Sequence, residues 1–99
     1  MWWANFPPPA GRRPAVLVSR DEIYDLRANV TVVPTTRTRR DIPTEVSVGR
    51  AEGLAGDTVA NADDVTTIPR RLLTERAGVL AESKLKALDR ALAFALALT

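Results

Sequence analysis

The alternation of apolar and polar positions divides the chain into a strand-forming stretch and a helical end. Met1-Trp2-Trp3-Ala4-Asn5-Phe6 is aromatic and β-prone and predicts a first strand. Pro7-Pro8-Pro9-Ala10-Gly11 cannot continue a ladder, because proline has no N–H to donate, so it predicts a stiff loop. Pro14 to Arg20 is an apolar run bounded by loop signals, the pattern of a strand buried on both faces. Asp21 to Arg27 is too short and too charged for a core helix and predicts a turn of helix or an ordered loop. Asn29 to Thr36 is β-branched almost throughout and predicts a third strand, with Pro34 implying an edge or a bulge rather than a central position. Arg37 to Asp41 is a basic loop, and Thr44 to Val48 alternates as a half-buried strand does. Gly49 to Asp57 is turn, Thr58 to Ile68 is one long bent strand or two short ones, Pro69 to Leu73 is a single helical turn, and Glu75 to Leu80 is a last short strand.

From Glu82 the period changes. Leu85, Leu88, Leu92, Ala95 and Leu96 recur at three- and four-residue spacing through Leu98, while Lys84, Lys86, Asp89 and Arg90 lie mostly off that stripe. This is an amphipathic helix of strong helix formers, expected to cover an open sheet. Many short strands followed by one terminal helix predict an α+β fold built on a small twisted β-barrel.

Composition narrows the picture. The 99 residues suit one domain over 1–99, and no apolar run approaches the roughly 20 residues of a membrane span. The N-terminus carries no basic region or cleavage site, so a cytoplasmic protein is expected. Without cysteine there is no disulfide and no thiolate nucleophile. Without histidine any zinc site would need oxygen ligands alone, which is uncommon, so neither metal nor cofactor is expected. The formal charge is only +2, but residues 1–50 hold eight basic and five acidic side chains against six and seven in 51–99. The excess is N-terminal and mostly arginine, which suggests a phosphate-bearing partner.

The chemistry gathers around Gly11-Arg12-Arg13-Pro14-Ala15-Val16-Leu17-Val18-Ser19 and Val30-Thr31-Val32-Val33-Pro34-Thr35-Thr36-Arg37. One puts two guanidinium groups at the mouth of a strand; the other carries hydroxyls and a further arginine. Arginine presents a planar fork that matches phosphate and stays charged at any working pH. A phosphodiester would be held well by that combination. Trp2 and Trp3 are expected to pack in a core or an interface in preference to stacking on bases, and the three prolines to be a connection in preference to a ligand for an SH3 or WW module. Asp63 and Asp64, as neighbours on a strand, would point to opposite faces and could not easily share one ion. Asp63 is therefore expected to be structural or to position substrate.

Trp2-Trp3-Ala4-Asn5-Phe6, the Gly11–Ser19 stretch, Val32-Val33-Pro34-Thr35-Thr36, Pro43-Thr44-Glu45-Val46, Ala62-Asp63-Asp64-Val65-Thr66-Thr67-Ile68 and the leucine-rich end together resemble the MazF/PemK toxins of bacterial toxin–antitoxin systems. The blocks stand in the family's order over nearly the whole chain. The resemblance implies a sequence-specific, metal-independent and ribosome-independent endoribonuclease on an SH3-like barrel, acting as a homodimer and silenced by a cognate antitoxin. It also implies a catalytic pair, Arg13 before the proline of the second strand and Thr36 at the end of the third. Cleavage would resemble that of other metal-free ribonucleases, with the ribose 2′-hydroxyl attacking the adjacent phosphorus. The loop between the first two strands lacks the Gly-Ser-Glu stretch common in relatives.

Residue chemistry agrees. Arg13 can neutralise a pentacoordinate phosphorane, and Thr36 can hydrogen-bond a non-bridging oxygen or orient the 2′-hydroxyl. Arginine is a poor general base near neutrality and no histidine replaces it, so no rate inflection is expected near pH 6.5. Arg12, Arg37, Arg39 and Arg40 are assigned to the backbone phosphates of single-stranded RNA, with Asp63 as a further positioning contact. The cleavage motif would be read in pockets formed by loop residues, Arg12 and the 37–41 loop among them. The antitoxin is expected to lay an acidic, partly disordered segment across the same basic groove. The competing reading is a CcdB-type gyrase poison, which resembles this fold but binds a protein through its terminal helix and cleaves nothing.

Overall fold

The computed structural model of the chain describes residues 1–18 and 28–98. The stretch predicted to be a turn of helix or a loop, 21–27, lies outside the described residues.

Strand β1 (Trp2–Asn5) pairs antiparallel with β2 (Arg12–Leu17), and the proline-rich loop between them closes with the Phe6 N–H donating to Gly11 O at 3.0 Å. Gly11 sits at φ 69°, the left-handed region that a residue without a Cβ adopts readily, and so turns the chain into β2. The long strand β3 (Asn29–Thr36) runs antiparallel to β2 with Ala15 opposite Pro34. On its other edge β3 has two successive partners, β6 (Thr66–Pro69) along Asn29 to Val32 and β5 (Thr58–Asn61) along Thr35 and Thr36. Strand β4 (Glu45–Val48) adds to β5, and β7 (Leu73–Arg76) adds to β1. The order of the seven-stranded sheet is β4-β5-β3-β2-β1-β7, with β6 paired to β3.

This is the expected α+β architecture, an antiparallel sheet with one C-terminal helix, SH3-like in arrangement. Among the described residues β4 and β7 do not pair, so the barrel is open.

Pro34 corrects the expectation of an edge position, because β3 is central. The Val18 N–H donates to Thr31 O, which makes Thr31 and Val33 the positions bonded to β2 and turns the Pro34 nitrogen to the opposite edge. There Val32 faces Thr66 and Thr35 faces Ala60, so Pro34 falls where one partner strand gives way to the next. A missing donor costs nothing at that switch.

The 58–68 segment resolves into two short strands separated by a 3-10 turn at Ala62–Asp64, and Pro69 leads into another at Arg70–Leu72. Asp63 and Asp64 therefore sit on a turn, not on a strand as expected. The last strand is Leu73–Arg76 rather than Glu75–Leu80. Gly78 explains the early end: its backbone crosses Glu52 so closely that a Cβ there would stand 1.9 Å from Glu52 O. Ala77 N–H turns to Met1 O and Val79 N–H to Glu52 O, which satisfies the backbone without a ladder.

Helix α1 (Glu82–Ala95) packs on β4 and the Ala62–Asp64 turn. Leu88 and Ala91 are its buried residues, and Ala87, Leu92 and Ala95 flank them. Leu85 and Leu96, both assigned to the core stripe from the sequence, are exposed at 44% and 54%. Leu88, Leu92 and Ala95 of the expected stripe face inward together with Ala87 and Ala91, so the buried face is turned toward the alanines and away from Leu85 and Leu96. Val16 and Val33 belong to the core under this helix, while Ala15 and Val32, their neighbours in sequence, belong to a second cluster with Ala4, Val30 and Ile68 on the other face of the sheet. That is the two-faced burial expected of β2.

Candidate active site

The antiparallel register of β2 and β3 assembles the site. Ala15 lies opposite Pro34, and beyond that pair the start of β2 and the end of β3 bring Arg13 and Thr36 to one cleft. The Arg13 Nε donates to Ala10 O at 2.9 Å, and its Nη1 donates to Thr35 O at 3.4 Å. Thr35 is buried, and its hydroxyl donates to Pro14 O at 2.8 Å, tying the two strands together where they carry these groups. Both acceptors of Arg13 are neutral carbonyls, and among the described residues no carboxylate pairs with it. Among the described residues, its charge is oriented and left unneutralised. The Thr36 Oγ1 accepts the Thr38 N–H at 3.2 Å, which fixes the hydroxyl while leaving its own hydrogen to donate.

Arg13 and Thr36 line one cleft of about 390 Å³, together with Trp3, Arg12, Arg37, Thr38 and the Leu54–Thr58 loop. Arg39 and Arg40 continue along the exposed loop beyond it. That loop is shaped by Glu45, whose carboxylate accepts the Arg40 and Asp41 N–H groups at 2.9 to 3.0 Å, with Asp41 at φ 55°. Arg39 reaches a neighbouring hollow that also contains Arg50 and Lys84 and shares Thr58 with the first cleft.

Asp63 does not line the cleft. Its Oδ2 accepts the Thr44 hydroxyl at 2.9 Å and its N–H donates to Asn61 Oδ1 at 3.0 Å, so it braces the turn after β5 against the start of β4. Among the described residues no three His, Cys, Asp or Glu side chains converge as a metal-ligand set.

Three contributors escaped the sequence reading. Trp3 lines the cleft, whereas Trp2 lines the opposite hollow with Leu17, Leu73 and Leu85. Successive strand residues face opposite ways, so the Trp2-Trp3 pair held that signal. Arg12 is engaged rather than free: it forms an ion pair with Glu75 and lies over the Trp3 ring, 4.3 Å from its centroid. Nothing in the local sequence marks Glu75, because β7 meets β1 only in the folded sheet. The Leu54–Thr58 wall is likewise a product of long-range packing.

Residues 1–96 match the family model described as the PemK-like, MazF-like toxin of type II toxin–antitoxin systems. The chain belongs to that family. A probable endoribonuclease MazF from Mycolicibacterium smegmatis is 40% identical over 85 residues, covering 83% of this chain and 78% of that one. The Mycobacterium tuberculosis toxin MazF-mt6 superposes with a TM-score of 0.91 at 33% identity, over 99% of this chain and 96% of that one. A mycobacterial endoribonuclease in complex with its cognate antitoxin superposes with a TM-score of 0.83 at 31% identity, over 99% and 93%. At the level of the family, this is a MazF-type endoribonuclease toxin; the CcdB-type reading is not favoured. No helix among the described residues is long and apolar enough to cross a membrane.

Proposed function

We propose that the MazF-type chain, acting as one domain over 1–99, cleaves single-stranded RNA at a short sequence motif, without a metal or a ribosome. The 2′-hydroxyl attacks the adjacent phosphorus, the 2′-oxygen–phosphorus bond forms and the bond to the 5′-oxygen breaks. The 2′-hydroxyl proton passes to solvent and the departing 5′-oxygen takes up another, leaving a cyclic phosphate and a free 5′-hydroxyl. Arg13 stabilises the charge that develops on the phosphorane, and Thr36 donates to a non-bridging oxygen or orients the 2′-hydroxyl. Arg37, Arg39 and Arg40 hold backbone phosphates on either side.

The observation that carries this reading is the pairing of an oriented guanidinium, which no described carboxylate neutralises, with a hydroxyl in one cleft. Such donors are already aimed where charge develops and need no reorganisation during reaction. The Met1 ammonium, whose pKa burial and then Arg76 push below 8.0, lies in the other cleft and is no candidate for the base.

The working form is a cytoplasmic homodimer restrained by an antitoxin. The hollow lined mostly by apolar side chains, Trp2, Leu17, Leu73 and Leu85 among them with Arg70 and Arg76 beside, and with Val79 exposed at 65%, supports a covered face. The antitoxin complex of the similar mycobacterial endoribonuclease supports the partner, to which we assign an acidic, partly disordered segment laid across the basic groove.

The test is primer extension on a long RNA incubated with purified protein and EDTA, beside Arg13→Ala. Discrete cuts sharing a short motif and absent from the variant establish the activity; intact RNA with folded protein overturns it.

A further inference from the structure

Trp3, Arg12 and Glu75 come from adjacent strands in the order β1, β2 and β7 about the β1 axis. Trp3 faces Glu75 across β1 and β7, and it faces Pro14 across β1 and β2, where Arg12 stands two residues away on the same face. The result is a layered arrangement in which Glu75 pairs with the guanidinium and the indole lies under it. A guanidinium already paired with a carboxylate gives less to a phosphate than a free one does. It keeps a planar face, and Arg12 retains 46% of its side-chain surface open. Guanidinium planes stack on nucleobases, and sequence-specific recognition of single-stranded RNA relies on such stacking of splayed bases. Arg12 and Trp3 line the same cleft as Arg13 and Thr36.

We propose that Trp3 and Arg12 form a nucleobase subsite beside the scissile phosphate, with Glu75 as the positioning residue that holds the Arg12 plane over the indole. An unstacked base lies on the outer face of the guanidinium, which the Trp3 ring supports from below. This rests on the proposed RNA-binding role of the cleft and reassigns Arg12 from backbone to base. A phosphate contact needs only a cation; a stacking platform needs a plane. Arg12→Lys separates the two, since it keeps the charge and loses the plane.

The test is equilibrium binding of an uncleavable 2′-O-methyl ten-mer containing the mapped cut motif, with a single abasic residue walked along it. If wild type cuts no RNA, the tightest-binding homopolymer replaces that ten-mer. In wild type one abasic position weakens binding about tenfold, the loss of one base stack. In Arg12→Lys the same position has no effect. Glu75→Ala frees Arg12 toward phosphate, so sensitivity at that position falls while the slope of log affinity against log salt steepens by about 0.7, one added single-strand phosphate contact. A merely structural role for Glu75 would not steepen it. A flat walk in wild type overturns the subsite, as does a sensitive position that persists in Arg12→Lys. Cutting of unmodified RNA is scored in parallel. Cutting with a flat walk sinks the subsite alone, whereas no cutting with one sensitive position lost in Arg12→Lys sinks the nuclease reading and leaves the subsite standing.

Discussion

At the scale of the residue, the site depends on what holds each group as much as on its identity. Arg13 is braced through Nε and Nη1 by Ala10 O and Thr35 O, so a fork of defined orientation faces the cleft. Arg13→Ala should lower the single-turnover cleavage rate on the order of 10²–10³, by comparison with loss of one oxyanion donor. Arg13→Lys should recover little of that, since one ammonium cannot reach both carbonyls and also present two parallel donors. Thr36→Ser should retain most activity and Thr36→Val lose it, because serine keeps both the acceptor for the Thr38 N–H and the hydroxyl hydrogen. Equal loss in both Thr36 variants would remove the hydroxyl from the mechanism. Arg13 and Thr36 are singled out through the family resemblance, since an Arg-Pro step before an apolar run is common taken alone, and the fold brings the two to one cleft. Arg12 was legible as a basic residue, but its pairing with Glu75, 63 residues away in sequence, was not.

At the scale of the element, spacing predicted which segments would be regular better than it predicted their phase. Most strands lie where alternation or β-branching put them. The helix was also found, and its stripe was right in part: Leu88, Leu92 and Ala95 pack inward, while Leu85 and Leu96 are exposed. Ala87 and Ala91 admit β4 closely, and only Leu88 among the leucines is fully enclosed. Thermal and urea unfolding of two alanine variants checks this. Leu88→Ala should cost about 2–5 kcal/mol, the range for emptying a buried leucine site. Leu96→Ala should stay within about 0.5 kcal/mol, since Leu96 is exposed at 54% and does not line the hollow proposed as the dimer face. Comparable losses would restore the leucine stripe. Pro34 and Gly78 teach the same lesson. Proline is excluded from a central strand only where its nitrogen must donate, and β3 changes partner at that point. Gly78 ends β7 through a close crossing with Glu52, a contact no local pattern announces.

At the scale of the whole molecule, the proposed groove has to serve both RNA and antitoxin. Arg37, Arg39 and Arg40 lie on one exposed loop held by Glu45, continuing outward from Arg13 and Thr36. If each holds one phosphate, replacing all three with glutamine should flatten the slope of log affinity for RNA against log salt by about two, at about 0.7 per single-strand contact. An acidic antitoxin segment would draw on the same cations, so the triple variant should weaken antitoxin binding and flatten its salt dependence as well. On that proposal, mutual exclusion follows from shared charge rather than from any conformational change. Titrating antitoxin into a cleavage assay should therefore raise the apparent KM for RNA while kcat at saturating RNA stays constant. A fall in kcat at constant KM would place the inhibitor elsewhere on the protein and require a change transmitted to Arg13. The triple variant distinguishes these cases again: loss of RNA affinity with full antitoxin affinity would mean that the inhibitor grips another face, and the shared groove would have to be abandoned.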